Sequence, residues 1–206
     1  LHDALPIFAR RRSRGVRRLK RVERVPRPMS REQVRALLGA VDRPRDRAMI
    51  LLMLQGGLRP GEVLNLHLDD IEYGRRRVTG RHRTDHPKGV RTKSRRERVI
   101  DLYEPEALAA ISAYVVTERP RSAPTGHLFL VCGAGSRAEE ALGYAALAKM
   151  FKRRCAAAGL HDPWITPHAL RHTHATWLWE GGMRELALQK RLGHASYEST
   201  KGYTRV

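Results

Sequence analysis

One tyrosine, two histidines, two arginines and a lysine carry the chemistry this sequence can do. Tyr203 stands nine residues after His194, which itself follows Leu192-Gly193, a glycine where a helix would end. Upstream, Arg59 follows the Gly56-Gly57 turn, Lys93 precedes a strand-like run, and His168 and Arg171 sit three apart in a helical stretch. A tyrosine hydroxyl ionises near pH 10, so it needs neighbouring cations that favour its charged form before it is a good nucleophile. A tyrosine surrounded by guanidinium, ammonium and imidazole groups points to attack on a phosphodiester. Charge that develops on phosphorus oxygens needs donors placed in advance, and losing one such donor typically costs about 3–4 kcal/mol.

Local elements decide whether these groups can meet. His168 and Arg171 share one helix face, just after Thr166-Pro167, where a helix N-terminus offers free backbone donors to an anion. Arg171 can fork onto two oxygens. Arg59 lies where a tight turn meets a short helix, and Glu62, three residues on, can pair with it and fix the guanidinium in place. Lys93 leads into a strand, with Lys88 as the competing hairpin lysine. Each also has a bland reading: a solvated lysine, a surface arginine, a terminal packing aromatic. His172 lies four residues from His168 on the same face and competes with it, whereas His172 and His174 otherwise read as packing or surface residues.

The 206-residue chain carries 40 Lys and Arg against 21 Asp and Glu, a formal net charge of +19. Such an excess repels itself and normally meets a polyanion. Double-stranded DNA is the leading partner; an anionic membrane surface is second, but no basic amphipathic helix with bulky aromatics supports it. Cys132 and Cys155 are the only cysteines, which indicates no disulfide framework and a reduced, cytoplasmic setting. The longest apolar run, 48–54, is far short of a membrane span. No Asp/Glu cluster marks a two-metal phosphoryl site, so no metal is expected. The chain opens on Leu1 without a signal-peptide pattern and reads as a piece of a longer protein.

Residues 9–28 form a basic, proline-punctuated tract, a linker or an arm on phosphates. Ser30-Arg31-Glu32-Gln33 is a capping box that starts a helix. A second helix, from about Arg45 to Gln55, is apolar on most sides and should be central. Gly56-Gly57 ends it, and Pro60 opens a short third helix. Arg75–Thr79 and Glu97–Leu102 read as strands, with a loop over 80–89 between them. Helices resume over 105–118, 144–158, 167–181 and 183–192. The expected fold is mainly α with a small antiparallel β-sheet.

Together the boxes resemble one family. Gln55-Gly56-Gly57-Leu58-Arg59-Pro60-Gly61-Glu62, Thr92-Lys93 before Arg98-Val99-Ile100-Asp101-Leu102, Thr166-Pro167-His168-Ala169-Leu170-Arg171-His172-Thr173, and Leu192-Gly193-His194 with Tyr203 are similar in order and spacing to the tyrosine recombinases, or phage-type integrases. The resemblance covers about residues 27–206. It implies the catalytic-domain fold of that family at 29–206, with 1–28 a basic linker or remnant of an N-terminal core-binding domain. It implies Tyr203 as nucleophile, forming a 3′-phosphotyrosyl link to DNA, with Arg59 and Arg171 clamping the non-bridging oxygens and His194 donating a further hydrogen bond. Lys93 would protonate the leaving 5′ oxygen and His168 would act as acid/base partner. The covalent link conserves the phosphodiester energy, so no cofactor is implied. Homo-tetramers on synapsed sites and a nucleoid-associated location follow from the same resemblance. The family usually adds an N-terminal DNA-gripping domain and a segment beyond the tyrosine, and the hairpin loop at 81–90 is long for it.

Three other readings stand beside this one. A non-catalytic DNA-binding relative would read a groove with helix 167–181. A type IB topoisomerase-like enzyme would relax one duplex rather than exchange two. A zinc hydrolase would use His168, His172 and His174, but lacks acidic ligands at fitting spacing. The target site, and the choice among integration, excision and resolution, are not written in these residues.

Overall fold

The computed structural model describes residues 27–92, 97–133, 135 and 137–193; Lys93, His194 and Tyr203 fall outside them. Its centre is the helix expected to be apolar on most sides. α1 (Arg31–Gly39) begins at the capping box: the Ser30 hydroxyl accepts from the Gln33 N–H at 3.2 Å, and the Gln33 side chain accepts from the Ser30 N–H at 3.0 Å. α2 (Pro44–Leu54) follows with proline in its first turn, and every residue from Ala48 to Leu54 is buried. It packs chiefly against α4 (Glu106–Thr117) and α6 (Pro167–Glu180). Polar groups at its start are paired: buried Asp46 takes Arg45 at 2.9 Å and Arg154 of α5 (Tyr144–Ala157) at 2.8 Å.

α3 (Pro60–Leu64) leads into the sheet, three antiparallel strands in the order β1 (Ile71–Glu72), β2 (Arg77–Gly80), β3 (Arg98–Asp101). Val78 faces Ile100 across the ladder, and both are buried. The strand expected at Arg75–Thr79 starts two residues later. Tyr73–Arg75 instead form a 3₁₀ turn closed by Arg76 at a left-handed φ of 50°. The two-residue β1 was too short to leave an alternating pattern.

The loop after β2 is held by buried Asp70, which takes Arg83 at 2.5 Å and Arg81 at 2.9 Å. The apolar segment 127–131 is irregular; its backbone is satisfied singly, with the Leu128 N–H on the Leu66 carbonyl (2.7 Å) and the Leu130 N–H on the Tyr114 hydroxyl (3.0 Å).

α7 (Glu185–Leu192) closes the described chain. Its Leu188 and Leu192 are buried with Ala175 of α6 in a small second cluster, against which Leu178, Trp179 and Met183 pack. The end of the basic tract is also docked: Arg27 stacks on Trp164 at 5.4 Å, and the Met29 N–H donates to Thr173 Oγ1 at 2.9 Å. The result is the expected mainly α fold with one small antiparallel sheet.

Candidate active site

Between α2 and α3 the chain turns through Gly56 and Gly57. Gly57 has a φ of +62°, and a Cβ built on it would lie 2.4 Å from His174 Cδ2, so both conformation and space demand glycine. The turn aims the Gly57 carbonyl at two guanidiniums. Arg171 donates to it at 2.5 Å from α6. Arg98 donates to it from β3 at 3.5 Å.

Arg59 follows as the residue before α3, in extended conformation, with Pro60 in the first helical turn. Glu62 closes back on it. One carboxylate oxygen, Oε2, accepts from the Arg59 N–H at 2.8 Å; the other, Oε1, accepts from Arg59 Nη1 at 2.9 Å. The sequence-derived pairing of these two residues is therefore present, and it extends further. Oε2 also takes Arg98 Nη2 at 2.6 Å, with Arg171 Nη1 3.8 Å away. Burial alone would raise the Glu62 carboxyl, but Arg98, Arg171 and the donors of Arg59 outweigh it and hold it below the usual carboxylate range.

Arg171 is 3% exposed and braced from two sides, since Nη2 also donates to the Leu192 carbonyl at 2.5 Å. Three guanidiniums thus surround one carboxylate, a local excess of two positive charges. Brought together from a turn, a strand and a helix, with Arg98 and Arg171 fixed by backbone carbonyls and Arg59 by Glu62, they form a preorganised anion site.

His168 lies in the first turn of α6, exposed, one turn before Arg171. His172 is half-buried, and its pKa is lowered to about 4 by burial and then by His168 and Arg171, so it is neutral at ordinary pH. His174 is buried against Gly57, its pKa lowered to about 3 by burial first and Arg191 next. It is a packing residue, and the three histidines considered for zinc do not converge. Among the described residues no group of three or more His, Cys, Asp or Glu is arranged to hold a metal ion.

Lys88, the competitor of Lys93, is engaged with Glu140 at 2.9 Å. Lys93, His194 and Tyr203 lie outside the described residues, though their neighbours Thr92 and Gly193 are within them. Thr92 is buried and bonds His82 Nδ1 at 2.8 Å. Gly193 caps α7 in a left-handed conformation.

Sequence reasoning missed Arg98. The available signal was strand parity, because Arg98 shares a face with buried Ile100 while Val99 between them is 57% exposed.

Comparison with known proteins follows the same boundaries. Residues 27–206 match the profile of the Phage integrase family. The chain is 30% identical over 190 residues to transposase A from transposon Tn554 of Staphylococcus aureus, covering 92% of this chain and 51% of that protein. It is 32% identical over 185 residues to tyrosine recombinase XerA of Thermococcus kodakarensis, covering 88% of this chain and 59% of the relative. Among solved structures, XerA recombinase superposes with a TM-score of 0.73 at 24% identity, over 89% of this chain and 62% of that one. The Tn1549 transposon integrase in complex with transposon right end DNA superposes with a TM-score of 0.74 at 23% identity, over 90% and 63%. The chain spans about half to three-fifths of the curated relatives it matches.

Proposed function

Because the chain belongs to the phage integrase family, we propose that it is the catalytic domain of a site-specific DNA recombinase that cleaves and rejoins DNA through a 3′-phosphotyrosyl intermediate. The observation that carries this reading is the convergence of Arg59 and Arg171, far apart in sequence, on the one buried carboxylate of Glu62, with Arg171 braced on the Gly57 carbonyl. That arrangement holds two guanidinium forks in advance of any substrate, as an in-line displacement at phosphorus requires.

In the proposed step the Tyr203 oxygen attacks phosphorus and the P–O5′ bond breaks. Arg59 and Arg171 hold the non-bridging oxygens, and His194 adds a third donor. The phenol proton leaves toward His168, and Lys93 returns a proton to the 5′ oxygen. The reverse attack by a 5′-hydroxyl restores the phosphodiester and frees Tyr203, so no nucleotide cofactor and no metal enter. Lys93 is preferred over Lys88 as the general acid, because Lys88 is committed to Glu140.

Double-stranded DNA is the proposed partner. The net charge of +19 and the DNA complexes of the transposon integrase both support it. Residues 1–28 are proposed to be the linker to a DNA-gripping domain, and 29–206 the catalytic domain. A tetramer on synapsed sites and a nucleoid location belong to the same proposal. No helix among the described residues is long and apolar enough to cross a membrane.

The test is incubation with a pool of nicked duplexes of randomised sequence in excess EDTA, with and without whatever flanking sequence the gene supplies. A protein–DNA adduct that survives denaturing electrophoresis, with a free 5′-hydroxyl on the released strand, is expected. Cleavage without an adduct, or an adduct that needs divalent metal, would overturn the proposal.

A further inference from the structure

Arg98 sits inside the cationic centre and, like Arg171, is tied to several elements. It leaves β3 toward the core and meets α3, the Gly57 turn and α7 at once. Its Nη2 pairs with Glu62 Oε2 at 2.6 Å and reaches the Gly57 carbonyl at 3.5 Å, while Nη1 donates to the Arg191 carbonyl near the end of α7. Its aliphatic stem runs beneath Gly193, where an added Cβ would lie 3.0 Å from Arg98 Cδ and where φ is +61°. Gly193 immediately precedes His194, and β3 follows Lys93 by a few residues. Arg98 therefore touches the near end of both segments that carry the remaining reactive groups.

We propose that Arg98 is a positioning residue for the transesterification: it neutralises Glu62, so that Arg59 and Arg171 are left to the phosphate, and it ties β3 to the end of α7 from which His194 and Tyr203 depart. The proposal rests on the recombinase reading above.

Charge counting favours this role. Glu62 has two oxygens and three guanidinium neighbours. Without Arg98, Oε2 loses its shortest ion pair, and Arg171 at 3.8 Å is the nearest guanidinium able to replace it. Moving in would pull Arg171 from the Gly57 and Leu192 carbonyls and pair it with a carboxylate rather than with phosphate. Lysine is a poor substitute, because an ammonium is a point donor and cannot spread its bonds as the planar fork does.

The experiment compares the parent, Arg98→Met and Arg98→Lys on the nicked-duplex pool. It measures duplex affinity, the first-order rate of adduct formation at saturating DNA, and the pH profile of that rate. Arg98→Met is expected to keep duplex affinity within about twofold, because affinity is spread over many basic residues, and to form adduct at least tenfold more slowly. Arg98→Lys should recover part of the rate. Losing Arg98 also removes the largest of the Coulombic effects that hold Glu62 ionised. The acid limb of the Arg98→Met profile should therefore move to higher pH than the parent's.

Equal rates in parent and Arg98→Met would overturn this proposal and leave the recombinase reading standing. So would a loss of affinity and rate in proportion, or an unmoved acid limb with no recovery in Arg98→Lys, since a merely structural residue behaves that way. A parent protein that forms no adduct under any condition would overturn the recombinase reading and this proposal with it.

Discussion

Replacing Glu62 by glutamine removes one charge at nearly constant volume, and the structure sets the size of the effect. Glu62 is 7% exposed and accepts from the Arg59 N–H, from Arg59 Nη1 and from Arg98 Nη2 at 2.6–2.9 Å. Glutamine keeps one accepting oxygen and turns the other position into a donor that faces guanidinium donors. Breaking a buried pair from one side costs about 3–5 kcal/mol. Some of that is recovered here because the Arg59 and Arg98 side chains are 19% and 12% exposed and keep contact with water. The expected loss is about 2–4 kcal/mol, or a fall in Tm of roughly 6–12 °C for a domain of this size.

Urea unfolding followed by circular dichroism measures it, and pH supplies a second check. Burial would raise the Glu62 carboxyl, yet Arg98, Arg171 and Arg59 hold it lowered. A carboxyl whose folded pKa lies below its unfolded value stabilises fully above about pH 4.3 and loses that contribution as pH falls through the folded value. The gap between parent and Glu62→Gln should be constant from pH 7 to 5 and narrow below about 4. A gap under about 0.5 kcal/mol at pH 7, the size of an ordinary surface substitution, or one that widens in acid, would show that Glu62 does not stabilise the cationic centre.

Three further outcomes are expected. Gly57→Ala combines a left-handed φ of +62° with a Cβ 2.4 Å from His174 Cδ2, so urea unfolding should show a loss of about 2 kcal/mol or more; Gly39→Ala, with nothing within 4 Å, should be neutral or slightly stabilising. Arg59→Ala should slow adduct formation by about 10²–10³-fold, the usual cost of one oxyanion donor, while destabilising less than Glu62→Gln; single-turnover rates on nicked duplexes check it. His127, His172 and His174 are held to about 4, 4 and 3, in each case by burial first. Their folded pKa lies below the unfolded value, so the stability they lend is present above about pH 6.5 and lost as pH falls from there toward 4. Each contributes a slope of up to about 1.4 kcal/mol per pH unit, and a flat unfolding free energy between pH 6.5 and 5 would contradict it.

Much of this arrangement was legible because local chemistry and global position agreed. The second helix is apolar on most sides, and such a helix tends to be central; the Gly56-Gly57 turn and Pro60 then place Arg59 at a helix start with Glu62 one turn later. The capping box at Ser30 worked for the same reason. The misses are tertiary. Nothing in Arg75-Arg76-Arg77 says that Arg76 turns left-handed and delays the strand. Lys88 and Lys93 look alike along the sequence; Lys88 pairs with Glu140, and Lys93 lies outside the described residues. Arg98 sits in the run read as the strand Glu97–Leu102, but its contacts depend on α7 folding back over it, between residues far apart in the chain.

If this cationic centre serves a tyrosine attack on DNA, the DNA ends up on one residue, Tyr203. The most direct measurement is peptide mapping by mass spectrometry of the protein adduct formed on nicked duplexes, beside the same reaction with Tyr203→Phe. A single modified peptide with the DNA 3′ phosphate on Tyr203, and no adduct from the Phe variant, is expected. A link on any other residue, or an adduct that survives Tyr203→Phe, would contradict it.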